Sequence, residues 1–168
     1  MKNQHPITPG SFEVTVYTDG AASGNPGPGG YGIILMSNGY QKELSGGFAH
    51  TTNNRMELMA VIVALEALKY DNCRVQIFSD SSYVVNAVEE GWLVKWERAA
   101  FKKKKNADLW LRFLKIYRKH QVQFHWLKGH AGHPLNERCD QLAVAASMQP
   151  ELPEDTGYAS AQGNDGLF

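Results

Sequence analysis

With 168 residues, 43% hydrophobic and 20% charged, the chain is long enough for one domain that buries about two-thirds of its unfolded surface. Its seventeen basic and seventeen acidic residues cancel, so overall charge singles out no class of partner. Two widely separated cysteines, Cys73 and Cys139, argue against a disulfide framework, and no apolar run approaches the ~20 residues of a membrane span. The polar N-terminus also lacks a signal-peptide core. The expectation is a soluble cytoplasmic protein with no membrane partner. The charge balance conceals an asymmetry: Lys95 to Lys105 holds six basic residues against one acid, Glu97, while Glu151 to the end holds four acids and no base.

Phe12, Val14 and Val16 alternate with Glu13, Thr15 and Tyr17, which predicts a strand ending at Thr18-Asp19-Gly20. Six glycines follow between Tyr17 and Gly32. A phosphate-cradling loop of the P-loop kind would carry a lysine after its glycines and open a helix on them, but the first lysine after these glycines is Lys42. The stretch is expected instead as a rigid, low-relief turn leading into a strand over 31–36. That strand meets another over 41–48 across Ser37-Asn38-Gly39-Tyr40, and Asn-Gly favours a tight hairpin. Apolar residues at helical spacing predict a helix over 53–68 with capping residues at Thr51 to Asn54. A short buried strand over 74–78 ends at Ser79-Asp80-Ser81-Ser82, whose serines can cap a helix over 83–90. A helix over 108–120, a strand over 122–127 and a helix over 136–148 complete the domain, expected as residues 12–148. This order suits an α/β mixed sheet with helices on its faces. Residues 1–11 are expected to be a flexible N-terminal segment, and 149–168, rich in Pro, Gly, Asp and Ser without periodicity, a disordered acidic tail.

Four carboxylates stand beside core-forming segments. Asp19 and Asp80 end strands that would emerge at one edge if parallel neighbours, Glu57 lies in the first turn of a helix, and Asp140 lies in the last helix. Singly, each has a plainer explanation as a turn former or a first-turn acid. Together they would repel one another unless a hard cation joined them, and all-oxygen ligands suit Mg²⁺ or Mn²⁺. Two such ions roughly 3.5 to 4 Å apart support in-line displacement at phosphorus. His130, among Gly129, Ala131 and Gly132, could handle a proton there. A zinc site from His130, His133 and Cys139 lacks a fourth soft ligand at suitable spacing.

Y-T-D-G-A-A-S-G-N-P-G-P-G-G-Y-G, T-N-N-R-M-E-L-M-A, S-D-S-S-Y-V and W-L-K-G-H-A-G-H-P-L-N-E-R-C-D, in this order, resemble the type 1 ribonucleases H, close to the bacterial enzymes, over about Phe12 to Met148. The resemblance implies the ribonuclease H fold, a five-stranded mixed sheet flanked by helices. It implies endonucleolytic cutting of the RNA strand of RNA/DNA hybrids, as in removal of replication primers and R-loops, with 5′-phosphomonoester products. It further implies that Asp19, Glu57, Asp80 and Asp140 hold two Mg²⁺ ions, for which Mn²⁺ can substitute, and that His130 assists proton transfer or product release. A monomer is expected.

Telling RNA from DNA requires contacts to 2′-hydroxyls across the shallow minor groove. Asn25, Asn53 and Asn54 are the candidates, each also explicable as a cap or turn residue, with the backbone of Gly20 and Ser23 and the side chain of Gln76 as further ones. The resemblance supports the three asparagines and a contact from Glu57 to a hydroxyl, and Arg55 reads as a phosphate or structural contact. In the segment 91–110, Trp92, Trp96 and Phe101 interleave with Lys95, Arg98, Lys102, Lys103, Lys104 and Lys105, which fits a nucleic-acid surface or a charged loop over a small core. Trp92 and Trp110 are candidate core residues. The stretch resembles the basic protrusion that grips the hybrid in bacterial relatives, although Ala99-Ala100-Phe101 stands where a tryptophan is common. The resemblance then implies that Asn106 and Thr52 form a pocket for a phosphate of the DNA strand. Two alternatives stay open at this stage. One is another metal-dependent nuclease of the same fold, such as a junction resolvase, and the other is a non-catalytic hybrid-binding module.

Overall fold

Five strands form one mixed sheet in the computed structural model, which describes residues 12–128 and 132–164. In chain order, β1 (Glu13–Ala22), β2 (Gly27–Ser37) and β3 (Tyr40–Thr51) lead into α1 (Asn53–Glu66) and β4 (Arg74–Ser79). Then come α2 (Ser82–Glu89), α3 (Trp92–Arg98), α4 (Ala107–Tyr117), β5 (Gln121–Trp126), α5 (Pro134–Ser147) and α6 (Thr156–Asn164). The strand order is β3-β2-β1-β4-β5, antiparallel across the first three and parallel from β1 to β4 to β5. β1 is therefore central, and Val14, Val16 and Tyr17 to Gly20 are buried along it.

α1 lies on one face of the sheet and is buried nearly all round, from Met56 to Leu65, because α4 packs over it. α4 contributes Leu109, Trp110, Phe113 and Leu114 at helical spacing. α5 covers β2 and β1 on the other face. The predicted caps are present: Thr52 Oγ accepts from Arg55 N at 3.2 Å and Ser81 Oγ accepts from Val84 N at 3.2 Å.

Three expectations change. The glycine stretch is mostly strand, since β1 continues to Ala22 and β2 begins at Gly27, with Ala22 opposite Gly29 and Asp19 opposite Gly32. The segment after Glu90 contains a short helix, α3, and Phe101 is buried in the core behind it. The acidic tail is ordered where it is described. Pro153 O accepts from Ala49 N at 2.9 Å, and Asp155, 4% exposed, binds Arg55 and caps α6. A buried ion pair holds this segment, which apolar periodicity could not reveal. Residues 1–11 lie outside the described residues.

Candidate active site

Thr18 pairs with Ser79 in the parallel register of β1 and β4, so the residues that follow, Asp19 and Asp80, leave the same edge of the sheet together. Glu57 joins them from α1, and carboxylate oxygens of Asp19, Glu57 and Asp80 lie within 4.8 Å of one another. Asp140, from the second turn of α5, lines the same cleft and interacts with Asp19. Two glycines permit this convergence. A Cβ on Gly20 would stand 2.3 Å from the backbone carbon of Met56, and one on Gly32 would stand 2.2 Å from the Cys139 carbonyl oxygen. Their bare backbones let α1 and α5 close on the sheet, each helix bringing the next residue's carboxylate inward.

Burial and crowding leave these acids poorly disposed to ionise. Asp19, 2% exposed, has its carboxyl pushed up to about 7, first by burial and then by the Asp80 charge. Glu57 is raised well above the ordinary carboxylate range by burial and by Asp19 and Asp80. Asp19 Oδ1 accepts from Gly20 N at 2.9 Å. Asp19 Oδ2 and Glu57 Oε2 are buried without a hydrogen-bond partner among the described residues. Oxygen atoms so placed fit a hard divalent cation, which would relieve both the repulsion and the desolvation.

The sequence profile of the RNase H family matches residues 11–148. A ribonuclease H of Desulforamulus reducens is 60% identical over 148 residues, which are 85% of this chain and 92% of that protein. The chain belongs to the RNase H family. A ribonuclease H of Escherichia coli is 54% identical over 151 residues, 87% of this chain and 96% of that one. Among solved structures, LC9-RNase H1, described as a type 1 RNase H with the type 2 active-site motif, superposes with a TM-score of 0.75 at 32% identity. That match covers 82% of this chain and 72% of the other. LC11-RNase H1, solved in complex with an RNA/DNA hybrid, gives 0.60 at 26% identity over 79% of this chain and 95% of the other. This type 1 RNase H is thus an endonuclease for the RNA strand of RNA/DNA hybrids.

The other sequence-predicted residues of this RNase H fall into three groups. Gly20, Asn53 and Asn54 line the acidic cleft, and Asn25, in the β1–β2 turn, is tied to that lining where its Oδ1 accepts from Asn53 N at 3.0 Å. Asn53 Oδ1 accepts from Ala22 N at 2.5 Å, so both amides turn their NH₂ groups away from these bonds. Gln76 is not brought to the cleft. It sits four residues before Asp80 on the strand, donates to Gln123 at 3.0 Å and meets His125 through its oxygen.

The basic segment forms a surface beside α3. Lys95, Lys102, Lys103, Lys104 and Lys105 are exposed, and Lys104 Nζ lies 5.1 Å from the Trp96 ring centroid. Trp92, expected as a core candidate, is 42% exposed, whereas Phe101, grouped with the surface aromatics, is 5% exposed and Trp110 fully buried. Thr52 and Asn106 meet through Arg55, whose guanidinium donates to Asn106 Oδ1 at 3.3 Å. His130 lies outside the described residues.

Sequence reasoning missed Tyr83, which lines the acidic cleft while its hydroxyl accepts from Asn106 Nδ2 at 3.0 Å and Trp110 Nε1 at 2.8 Å. Its place after the helix-capping serine Ser81 was visible, but the link to Asn106 is tertiary. Asp108 and Asp155 were missed for the same reason. Among the described residues no helix is long and apolar enough to cross a membrane.

Proposed function

We propose that Asp19, Glu57, Asp80 and Asp140 hold two Mg²⁺ ions and that cleavage of the RNA strand follows a two-metal course ending in 5′-phosphomonoester products. The observation that carries this reading is the set of converging carboxylates, two of them with buried, unpartnered oxygens. Bound there, the ions would supply activation of a water and neutralisation of charge on the leaving oxygen, and Mn²⁺ offers similar chemistry. The chain's own groups orient the strand. Asn25, Asn53 and Asn54 offer amide donors toward the minor groove, and Glu57 can accept from a 2′-hydroxyl. Thr52 and Asn106 take a phosphate of the DNA strand, and the exposed lysines 95 and 102 to 105, with Trp92 and Trp96, hold the duplex beyond it. His130 moves a proton during attack or product release. The two buried free cysteines suit a reducing compartment, so we read the protein as a cytoplasmic monomer that removes primers and R-loops.

Labelled RNA/DNA, RNA/RNA and DNA/DNA duplexes, incubated with Mg²⁺, with chelator and with the Asp19→Asn variant, test the reading. Cleavage confined to the RNA of the hybrid, lost in chelator and in the variant, is expected. A variant as active as the parent would sink the proposed role of Asp19.

A further inference from the structure

Arg55 is 1% exposed, and its five N–H groups are all engaged. Nε donates to Asp155 Oδ2 at 2.7 Å. Nη2 donates to Asp155 Oδ1 at 2.9 Å and to Asp108 Oδ2 at 2.7 Å, and Nη1 to Asp108 Oδ1 at 2.8 Å and Asn106 Oδ1 at 3.3 Å. No donor remains for a phosphate. What Arg55 does instead is choose the orientation of a neighbouring amide.

A guanidinium only donates, so the side of Asn106 facing it must be the oxygen. The other side must then be nitrogen, and it donates to the Tyr83 hydroxyl at 3.0 Å. That hydroxyl also accepts from Trp110 Nε1 at 2.8 Å, so two donors converge on one oxygen and the hydroxyl proton is left pointing elsewhere. The second Asn106 amide proton is left as well. Thr52 Oγ accepts from Arg55 N, which leaves its proton over in the same way. Three neutral groups around Arg55 thus keep a proton for an outside acceptor, as a phosphate oxygen is. Were Arg55 displaced, the Asn106 amide could rotate by half a turn and present its oxygen, which repels a phosphate.

Two carboxylates hold Arg55, but only one is buried: the Asp155 side chain is 4% exposed and that of Asp108 43%. Asp155 belongs to the segment after α5. It accepts from Thr51 Oγ1 at 2.7 Å and from Tyr158 N at 3.3 Å. A Cβ on Gly157 would stand 2.0 Å from Asp108 Oδ2, so the first turn of α6 sits against this cluster. We propose that Asp155 is a positioning residue for the phosphate pocket: through Arg55 it fixes the Asn106 amide with its nitrogen outward. The inference rests on the reading of Thr52 and Asn106 as a pocket for a DNA-strand phosphate.

The test is hybrid cleavage at 25 °C by the parent, Asp155→Asn, Asp155→Ala, Asn106→Ala and the Asn106→Ala/Asp155→Ala double variant, with KM and kcat measured across a salt series. Asp155→Asn keeps the side-chain shape, and thermal melts confirm that each variant is folded at the assay temperature. Both Asp155 variants are expected to raise KM about 3- to 10-fold, the worth of roughly one hydrogen bond, with kcat within twofold of the parent. The slope of log KM against log salt should stay near the parental value, because the groups that meet the phosphate are neutral and displace no counterion by charge. In the Asn106→Ala background the Asp155 change should add nothing to KM. A role in stability alone would lower the melting temperature in both backgrounds without that coupling. A role as a bare negative charge would lower KM in Asp155→Asn, and either result overturns the inference, as does an equal KM increase in both backgrounds. If Asn106→Ala itself leaves KM unchanged, the pocket reading is what fails.

Discussion

Gly32 of β2 lies directly under Cys139 of α5, where a Cβ would stand 2.2 Å from the Cys139 carbonyl oxygen. The helix cannot come as close to any residue with a side chain, and Asp140 is the next residue along it. Gly32→Ala should therefore push α5 outward. Stability is expected to fall by about 1–3 kcal/mol, the usual cost of overpacking. Cleavage should fall more than stability does, because Asp140 is carried away from Asp19. Melting curves and single-turnover rates check this. A variant that is destabilised but cleaves at the parental rate would show that α5 can shift without loss of the site.

Asp19 links the site to stability through its raised carboxyl. Its folded value of about 7 exceeds the unfolded value of 3.8, so between those pH values the folded state binds more protons than the unfolded one. Folding stability in metal-free buffer should decline as pH rises from about 4 to about 7, and the loss should be complete above that window. Asp19→Asn removes the charge and the loss together. At pH 8 in chelator the variant should melt above the parent by at least about 3 °C, close to 1 kcal/mol for a chain of this size. At pH 4 the two should converge. Equal melting at pH 8 would mean that the crowded acids are not under strain.

The sheet was legible from local pattern because its strands alternate or run apolar and its turns carry Asn-Gly and Ser-Asp-Ser-Ser, signals that lie within a few residues. The meeting of Asp19 with Asp80 followed from parallel pairing of two strands that each end in an acid. Other features depend on residues far apart in the chain. Gly20 read only as the end of one strand and Gly32 as a residue of the next, because nothing local shows that two helices press on them. α6 read as disorder because its anchor is polar, an Asp155 that meets Arg55 one hundred residues away. Gln76 read as a substrate-binding residue because an amide near the acids suits a 2′-hydroxyl, yet it lies further down the sheet against Gln123 and His125.

Both thiols should be silent toward alkylation in the native state. Cys139 is fully buried, donates to Tyr17 O at 3.3 Å, and is pushed up to about 12, first by burial and then by the Asp19 charge. Cys73 is 2% exposed, donates to Tyr70 O at 3.1 Å, and is also raised by burial. Because the thiolate is the reactive form, iodoacetamide at pH 8 should label neither until the protein opens. Labelling rates should then rise with urea in parallel with loss of ellipticity. Rapid modification of Cys139 in native buffer would mean that α5 lifts from the sheet well below the global transition.

The lysines beyond α3 should govern salt dependence, and the fold of their loop explains why. Phe101 is buried and donates its N–H to Trp96 O at 2.7 Å, which pins a coil whose Ala100, Phe101, Lys103 and Asn106 all have positive φ. Trp96 in turn packs on the buried Trp110, with ring centroids 5.8 Å apart. The cationic side chains are thus mounted on an ordered base. Replacing Lys102 to Lys105 by glutamine should raise KM for the hybrid at low salt and flatten the plot of log KM against log salt by about 0.9 for each phosphate that is no longer neutralised. Turnover at saturating substrate should change little, since none of the four lines the acidic cleft. Phe101→Ala keeps every charge but frees the coil, so it should raise KM while leaving the salt slope near the parental value. An unchanged slope in the glutamine variant would assign phosphate binding to other cations, with Lys95 the first to test.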